Sequence, residues 1–566
     1  MNRVLRPAYR AGPEARLDDR GPVRAPLGNG NEEDGRQPGV AWQRGGCAAL
    51  SGGAVRGWKI GGSNGGGEGV RDLVAALRAV VGDPRQVSAS PSALEQHGRD
   101  LTYHPPRQPQ VVVYPEDTAE VQEILRLAQQ WRVPVVPYGA GSSLEGHVIP
   151  VQGGISLDLS RMDRVVALDP VARRVRVQAG LTRSRLNAYL AREGLFFPVD
   201  PGADATLGGM AATNASGTNA LRYGAMKHQV LGLEVVLAGG GVVRTGELAR
   251  WAGSPGPAGA QAGIAAGATG GAEAGSKAGG TAGSTAGMMA GLPDLDLTAL
   301  FVGSEGTLGV ITELVVKVYP LPEAVLAARV TFPDLEAAAR AAVDIARGCP
   351  TATRIELLDE RTLTAVNAFR GTAYPERPAL FLEWAGAPPA VEADAARGRD
   401  LCAAQGGTGF EVERDEAGRA RLWDARHHAG LAVTAVAPGR KKMSTDVCVP
   451  LSALPAAIRH ARATIDAYGF PAGIVAHAGD GNFHVLFAVD PANPEEIERA
   501  KRANAAIVRH ALACGGTCTG EHGVGLGKRR FLLEEHGPAV DVMRAIKDAL
   551  DPHGILNPGK VLPTPA

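Results

Sequence analysis

VPVVPYGAGSSLEGH, residues 133–147, is the stretch on which the fold turns. A short β-prone run, Val133 to Val136, leads into a turn that holds Gly139, Gly141 and Gly146 among Ser142 and Ser143. Glycine has no Cβ, so backbone N–H groups can approach an anion closely, and the serine hydroxyls add donors. A pyrophosphate needs that combination. The spacing is neither G-x-G-x-x-G nor a P-loop. Taken alone, the segment fits a phosphate cradle or an ordinary Gly-rich turn.

Working outward, residues 115–131 (PEDTAEVQEILRLAQQW) place Asp117 three residues before Glu120, a capping-box spacing, with Val121, Ile124, Leu125 and Ala128 at helical period. Downstream, GGISLDL, RRVRVQAG and LGLEVVLAGGGVV read as strands ending at Gly turns. Residues 198–224, PVDPGADATLGGMAATNASGTNALRYG, form a long small-residue run whose backbone could wrap a large flat ligand. Leu207, Met210, Leu221 and Tyr223 interleave as packing anchors, which favours an ordered site over a loose loop. After Pro320 the pattern resets to strand AARVTF, a helix from Asp334, strand ALFLEWAG and helix LSALPAAIRHARATIDAYG. That alternation predicts an α+β chain whose second domain is a sheet covered on one side by helices.

Three further segments carry chemistry. In HAGDGNFH, residues 477–484, Asp480–Gly481 is a tight-turn signal between apolar runs, so a hairpin brings His477 and His484 together. Two neutral imidazoles suit a first-row divalent metal. In CTGEHGVGLGKRRF, residues 518–531, Glu521 could add a carboxylate ligand and His522 could act as a base, or the two could be a charged pair in a turn. Cys514 and Cys518 read as packing. Residues 423–450 offer Arg426, whose planar fork matches a carboxylate, Lys441 and a later Asp446; His427, His428, Arg440 and Lys442 are equally available.

Composition excludes several classes. In 566 residues, 59 Lys+Arg balance 59 Asp+Glu, so the basic excess of a nucleic-acid or anionic-membrane binder is lacking. Six Cys are too few for a disulfide framework and predict reduced thiols in an intracellular compartment. The expected location is cytoplasmic or peripheral to a membrane, and mitochondrial in a eukaryote. No apolar run approaches the roughly 18 residues of a membrane span. Residues 1–69 lack an apolar period and predict a disordered extension or an over-long gene start. Of residues 253–291, 31 are Gly, Ala, Ser or Thr, the composition of a flexible insert.

In this order, PYGAGSSLEGH, the 198–224 run, LFVGSEGTLGVITE, STDVCVP, HAGDGNFH, TGEHGVGLGKRRFL and LNPGKV resemble the FAD-linked 2-hydroxy-acid dehydrogenase family, in its D-lactate dehydrogenase (cytochrome) group. Residues from about Gln110 to Val318 resemble a FAD-binding domain of the PCMH/VAO type. The resemblance implies a two-part FAD-binding domain over residues 70–325 and a cap domain over 326–566, with an antiparallel sheet flanked by helices. The final twenty or so residues would return to the FAD domain.

The resemblance also implies roles. Pro137, Gly139, Ala140, Gly141, Ser142, Ser143 and Leu144 would cradle the FAD pyrophosphate. Pro201, Thr206, Gly208, Gly209, Ser216, Gly217 and Tyr223 would line the rest of the flavin, with Glu305 and Ile311 towards the adenine and ribose. His477, His484 and Glu521 would hold a divalent metal (Zn, Mn or Fe), and His522 would be the base. Arg426 and Lys441 would hold the substrate carboxylate. Tethering members carry a His where this chain has Gly141, so the FAD is expected to be non-covalent. The implied reaction is oxidation of D-lactate, or a close D-2-hydroxy acid, with electrons passing to cytochrome c, an electron-transfer flavoprotein or a quinone. Siblings acting on glycolate or D-2-hydroxyglutarate, a metal-dependent hydrolase and a non-catalytic FAD-binding subunit are the rivals. Gly430, where relatives carry a larger or hydroxylated residue, leaves the size of the acid open.

Overall fold

The computed structural model describes residues 67–251 and 296–564. The expected extension and insert fall outside these residues, except that Gly67–Gly69 already belong to a helix, Gly67–Val80.

The first lobe is built on two sheets. One has four strands in the order Val87–Ser88, Val111–Val113, Ile155–Asp158, Val135–Tyr138, the last three parallel. The Thr118–Trp131 helix crosses between two of them; Asp117 caps it by accepting the Glu120 N–H at 2.9 Å. Glu120 does not complete the box on Asp117. Its carboxylate accepts instead from the N–H of Gly82 and Glu116, each at 2.8 Å. The second sheet has five antiparallel strands, with Val310–Lys317 between Arg174–Gln178 and Val230–Val236. One apolar core joins both sheets, and Ile555 and Leu556 from the chain's end belong to it.

The second lobe holds an eight-stranded sheet in which Ala324–Thr331, Ala379–Gly386, Ala352–Leu358, Ala472–His477, Asn482–Val489 and Lys441–Ser444 are successive antiparallel neighbours. Strand alternation sends its apolar side chains both ways. Leu326, Ala328, Ile355, Leu357, Leu380 and Leu382 face a core shared with helices such as Leu335–Gly348 and Leu454–Tyr468. Ala327, Leu358, Phe381, Val475 and Leu486 face another, covered by Glu360–Arg370 and Glu416–Ala435. The sheet is therefore covered on both faces, not on one as the alternation predicts. Near-continuous apolar runs such as ALFLEWAG are the sequence mark of a doubly covered strand. Glu356, His477 and His484 share the parity of Leu358, Val475 and Leu486, so this second face presents them.

Candidate active site

A cavity of about 450 Å³ opens between the lobes. One end is the Gly-rich turn after Val135–Tyr138. Pro137, Gly139, Ala140, Gly141, Ser142, Ser143 and Leu144 all line it, with Pro201, Thr206, Gly208, Gly209, Glu305 and Ile311. Thr206 caps the Leu207–Thr213 helix, and a Cβ on Gly139 would stand 2.3 Å from its Oγ1. Gly141 has φ +65°, and a Cβ there would meet the Tyr138 hydroxyl at 2.1 Å. Ser143 Oγ is buried with no protein partner. A backbone cradle that admits no side chain, with an unpartnered donor, fits a dinucleotide's phosphates.

Ser216, Gly217 and Tyr223 stand elsewhere. Ser216 donates to Glu521 Oε2 at 3.1 Å. Gly217 packs so closely on the Asp200 backbone that a Cβ would lie 2.3 Å from its carbonyl oxygen. Tyr223 packs with Tyr319 and Phe196, ring centroids 4.8 and 5.7 Å away. Low side-chain volume in the 198–224 run thus serves chain packing as well as the cavity. Glu305 lines the cavity, but its carboxylate accepts from Val524 N at 2.6 Å and Gly525 N at 2.8 Å, with His147 Nε2 3.1 Å away. These contacts tie it to the Val524–Gly525 segment of the C-terminal loop.

At the other end lie Arg426, His477, His484, Glu521 and His522. The hairpin forms as its turn predicts, with Gly481 at φ +86° and His477 paired opposite Asn482. Glu521 Oε1 lies 3.1 Å from His477 Nε2 and 3.3 Å from His484 Nε2. His477 Nδ1 meets Glu356 at 2.8 Å, and Arg426 Nε meets the other oxygen of Glu356 at 2.6 Å. A carboxylate on the far nitrogen of a histidine orients the near one towards a metal. The His522 ring stacks on His484 at 4.7 Å, and its Nε2 is 3.8 Å from Glu521 Oε1. A second convergent set, Asp446, His484 and His522, shares His484. Backbone amides and Lys528 already occupy the Asp446 carboxylate. His477, His484 and Glu521 are the set that could hold an ion.

The electrostatics follow from burial against pairing. Burial opposes charge on His477, but Glu356 and Glu521 on its two sides outweigh it and raise its pKa well above normal. Burial likewise opposes Glu521, but His477 and His484 hold it well below the usual carboxylate range. Burial pushes His522 down to about 3, so its imidazole is neutral. Lys442 is lowered by burial, against the pull of Asp100 and Glu145.

Lys441 does not reach the cavity. It is exposed on the strand Lys441–Ser444, while Lys442 and Ser444 line the cavity from the opposite face. Neighbours on a strand point to opposite sides, so only one lysine of the pair can serve the site. Glu356 went unnoticed in the sequence, although a lone acid in the apolar strand run RIELL was its signal. Asn557, in the LNPGK string, also lines the cavity.

Fold and cavity define a flavoprotein of the PCMH/VAO type. Residues 109–246 match the FAD binding domain family, and residues 321–561 match FAD linked oxidases, C-terminal domain. The probable D-lactate dehydrogenase, mitochondrial, of Danio rerio is 42% identical over 87% of this chain and 92% of its own length. D-lactate dehydrogenase [cytochrome], mitochondrial, of Arabidopsis thaliana is 36% identical over 87% and 80%. Solved p-cresol methylhydroxylase with substrate bound shares the fold alone, at TM-score 0.64 and 18% identity over 88% of this chain and 98% of that one. The chain belongs to the FAD-linked 2-hydroxy-acid dehydrogenase family of the D-lactate dehydrogenase (cytochrome) type. It is an FAD-dependent oxidoreductase.

Proposed function

We propose that the protein oxidises D-lactate, or a close D-2-hydroxy acid, to the 2-oxo acid. One observation supports the reading: His522, His477, His484, Glu521 and Arg426 line the same cavity as the Gly-rich turn at Gly139–Ser143. Arg426, held through Nε by Glu356, presents the rest of its fork to the substrate carboxylate, and Lys442 adds a second cation from the strand opposite. These contacts fix the acid so that its C–H bond faces the flavin. His522 takes the hydroxyl proton at Nε2. FAD, when bound, supplies the hydride acceptor, a capacity no side chain has. His477, His484 and Glu521 would hold a divalent ion (zinc, manganese or iron), which would acidify the substrate hydroxyl. With Gly141 where tethering relatives carry His, the FAD is bound non-covalently.

Leu431, Val475 and Leu486 make an apolar wall beside this cluster. Such a wall suits a short apolar side chain better than the second carboxylate of 2-hydroxyglutarate. A Cβ at Gly430 would meet nothing within 4 Å, so chains somewhat longer than that of lactate fit. The names of the relatives support cytochrome c as electron acceptor, with an electron-transfer flavoprotein or quinone as alternatives, and a mitochondrial or membrane-peripheral location. Among the described residues no helix is long and apolar enough to cross a membrane.

Purified protein is expected to be yellow and to bleach anaerobically with D-lactate but not L-lactate. A chelator should slow the bleaching without releasing flavin. Flavin that stays oxidised under every 2-hydroxy acid of either hand would overturn the reading.

A further inference from the structure

Asp446 follows the strand Lys441–Ser444 and is fully buried. Its carboxylate accepts the N–H of Gly520 at 3.1 Å, of Glu521 at 3.1 Å and of His522 at 2.8 Å, and the Thr519 hydroxyl at 2.8 Å. Lys528 Nζ completes the set at 2.7 Å. One buried cation and one or two donors would satisfy a carboxylate. This one instead gathers consecutive amides of an irregular loop that has no ladder of its own.

That loop carries the two side chains on which the site depends. Glu521 reaches back to His477 and His484, and His522 lies flat against His484. Both directions are set by the backbone path that the Asp446 oxygens hold. Lys528 in turn lies 3.2 Å from Glu145, which belongs to the Gly-rich turn at the flavin end of the cavity. The support of the base loop thus rests on the flavin-cradling segment. Asp446 also stands two residues from Ser444 and four from Lys442, so the carboxylate-side wall and the base loop share one anchor.

We propose that Asp446 is the positioning residue that holds Glu521 and His522 together at the reacting end of the cavity, with Lys528 linking it to the flavin turn. It touches no substrate and acts through the loop. The turnover half of its test rests on the oxidation proposed above; the metal half rests only on the convergence of His477, His484 and Glu521 and not on the substrate.

The experiment compares FAD-loaded wild type with Asp446→Asn, which keeps the size and one acceptor oxygen but turns an amide donor towards amide donors. Loss of the hold is expected to lower kcat with D-lactate about 100-fold while KM moves less than about 3-fold, the mark of misplacement rather than lost binding. Zinc affinity, read by competition with a chromophoric chelator, is expected to fall about 10- to 100-fold, as for a lost support of a metal ligand. Flavin absorbance should stay that of wild type. A variant with wild-type kcat and wild-type zinc affinity overturns the proposal, as does one that loses turnover only in proportion to lost flavin. Should Asp446→Asn fail to fold, Thr519→Val removes one bond to the same oxygen, and the proposal requires a smaller loss in both kcat and zinc affinity. A wild type that binds zinc but whose flavin stays oxidised with D-lactate defeats the substrate reading alone, because the zinc comparison still decides Asp446.

Discussion

Lys441 and Lys442 are adjacent and chemically identical, yet only Lys442 borders the cavity. It is partly buried and lines the same cavity as Arg426; losing a charge-assisted bond to a carboxylate there costs on the order of 1.5–3 kcal/mol. Lys442→Met is therefore expected to raise KM for D-lactate at least tenfold, as that cost implies, with a smaller effect on kcat. Lys441→Met, at an exposed position, should leave both within about twofold, as surface changes do. Steady-state kinetics on the two variants checks the assignment, and equal effects would return Lys441 to the site. The resemblance implies Lys441, while residue type alone cannot choose within the pair, because a side chain's face depends on strand parity, and parity depends on where the ladder with Asn482–Val489 begins.

At the scale of elements, local chemistry was legible wherever it is self-contained. The Asp117 and Asp334 caps and the Asp480–Gly481 turn each form from residues within a few positions of one another. The flavin cradle needs one step more, because the Gly139 turn and the Thr206-capped helix Leu207–Thr213 come together from distant parts of the chain. Gly139→Ala would place its Cβ against Thr206 Oγ1 and push the cap away. Losing a cap costs about 1 kcal/mol, and the displaced turn no longer fits its phosphates. The variant is expected to purify with less than wild-type flavin and to release it more readily. The 280-to-450 nm absorbance ratio and the fluorescence of released flavin measure both effects. The two-sided cover of the eight-stranded sheet was marked by near-continuous apolar runs such as ALFLEWAG, but the alternation of strands and helices does not say which face each helix will take.

Across the whole molecule, the end of the chain ties the lobes together. Val135 N donates to Ile555 O and Asn557 N to Val135 O, both at 2.8 Å, and Lys560 Nζ reaches Ile149 O at 2.5 Å. Val561 N donates to Gly525 O at 3.1 Å, in the loop that Glu305 also grips. Burial pushes Lys560 down to about 7. Above that pH the folded chain holds this lysine neutral, while the unfolded chain keeps its proton up to about 10.4. The unfolded state then binds more protons, so stability from this residue rises with pH between those values, by up to about 1.4 kcal/mol per unit. Urea unfolding at pH 7, 8 and 9 should show that rise in wild type and a flatter profile in Lys560→Met; identical profiles would mean that the lysine stays charged when folded.

The sequence alone determined the Gly-rich turn and the hairpin that brings His477 and His484 together, because glycines that cannot carry a side chain and a tight Asp–Gly turn are constraints written within short segments; its motifs taken together placed the chain in the FAD-linked family. Tertiary structure alone decided that Lys442 and not Lys441 lines the cavity, that Glu356 bridges His477 and Arg426, that Asp446 gathers the amides of the Glu521–His522 loop, and that Ser216, Gly217 and Tyr223 pack outside the cavity lining. Those outcomes depend on strand parity and on contacts between residues far apart in the chain. Such contacts exist only once both lobes have folded against each other.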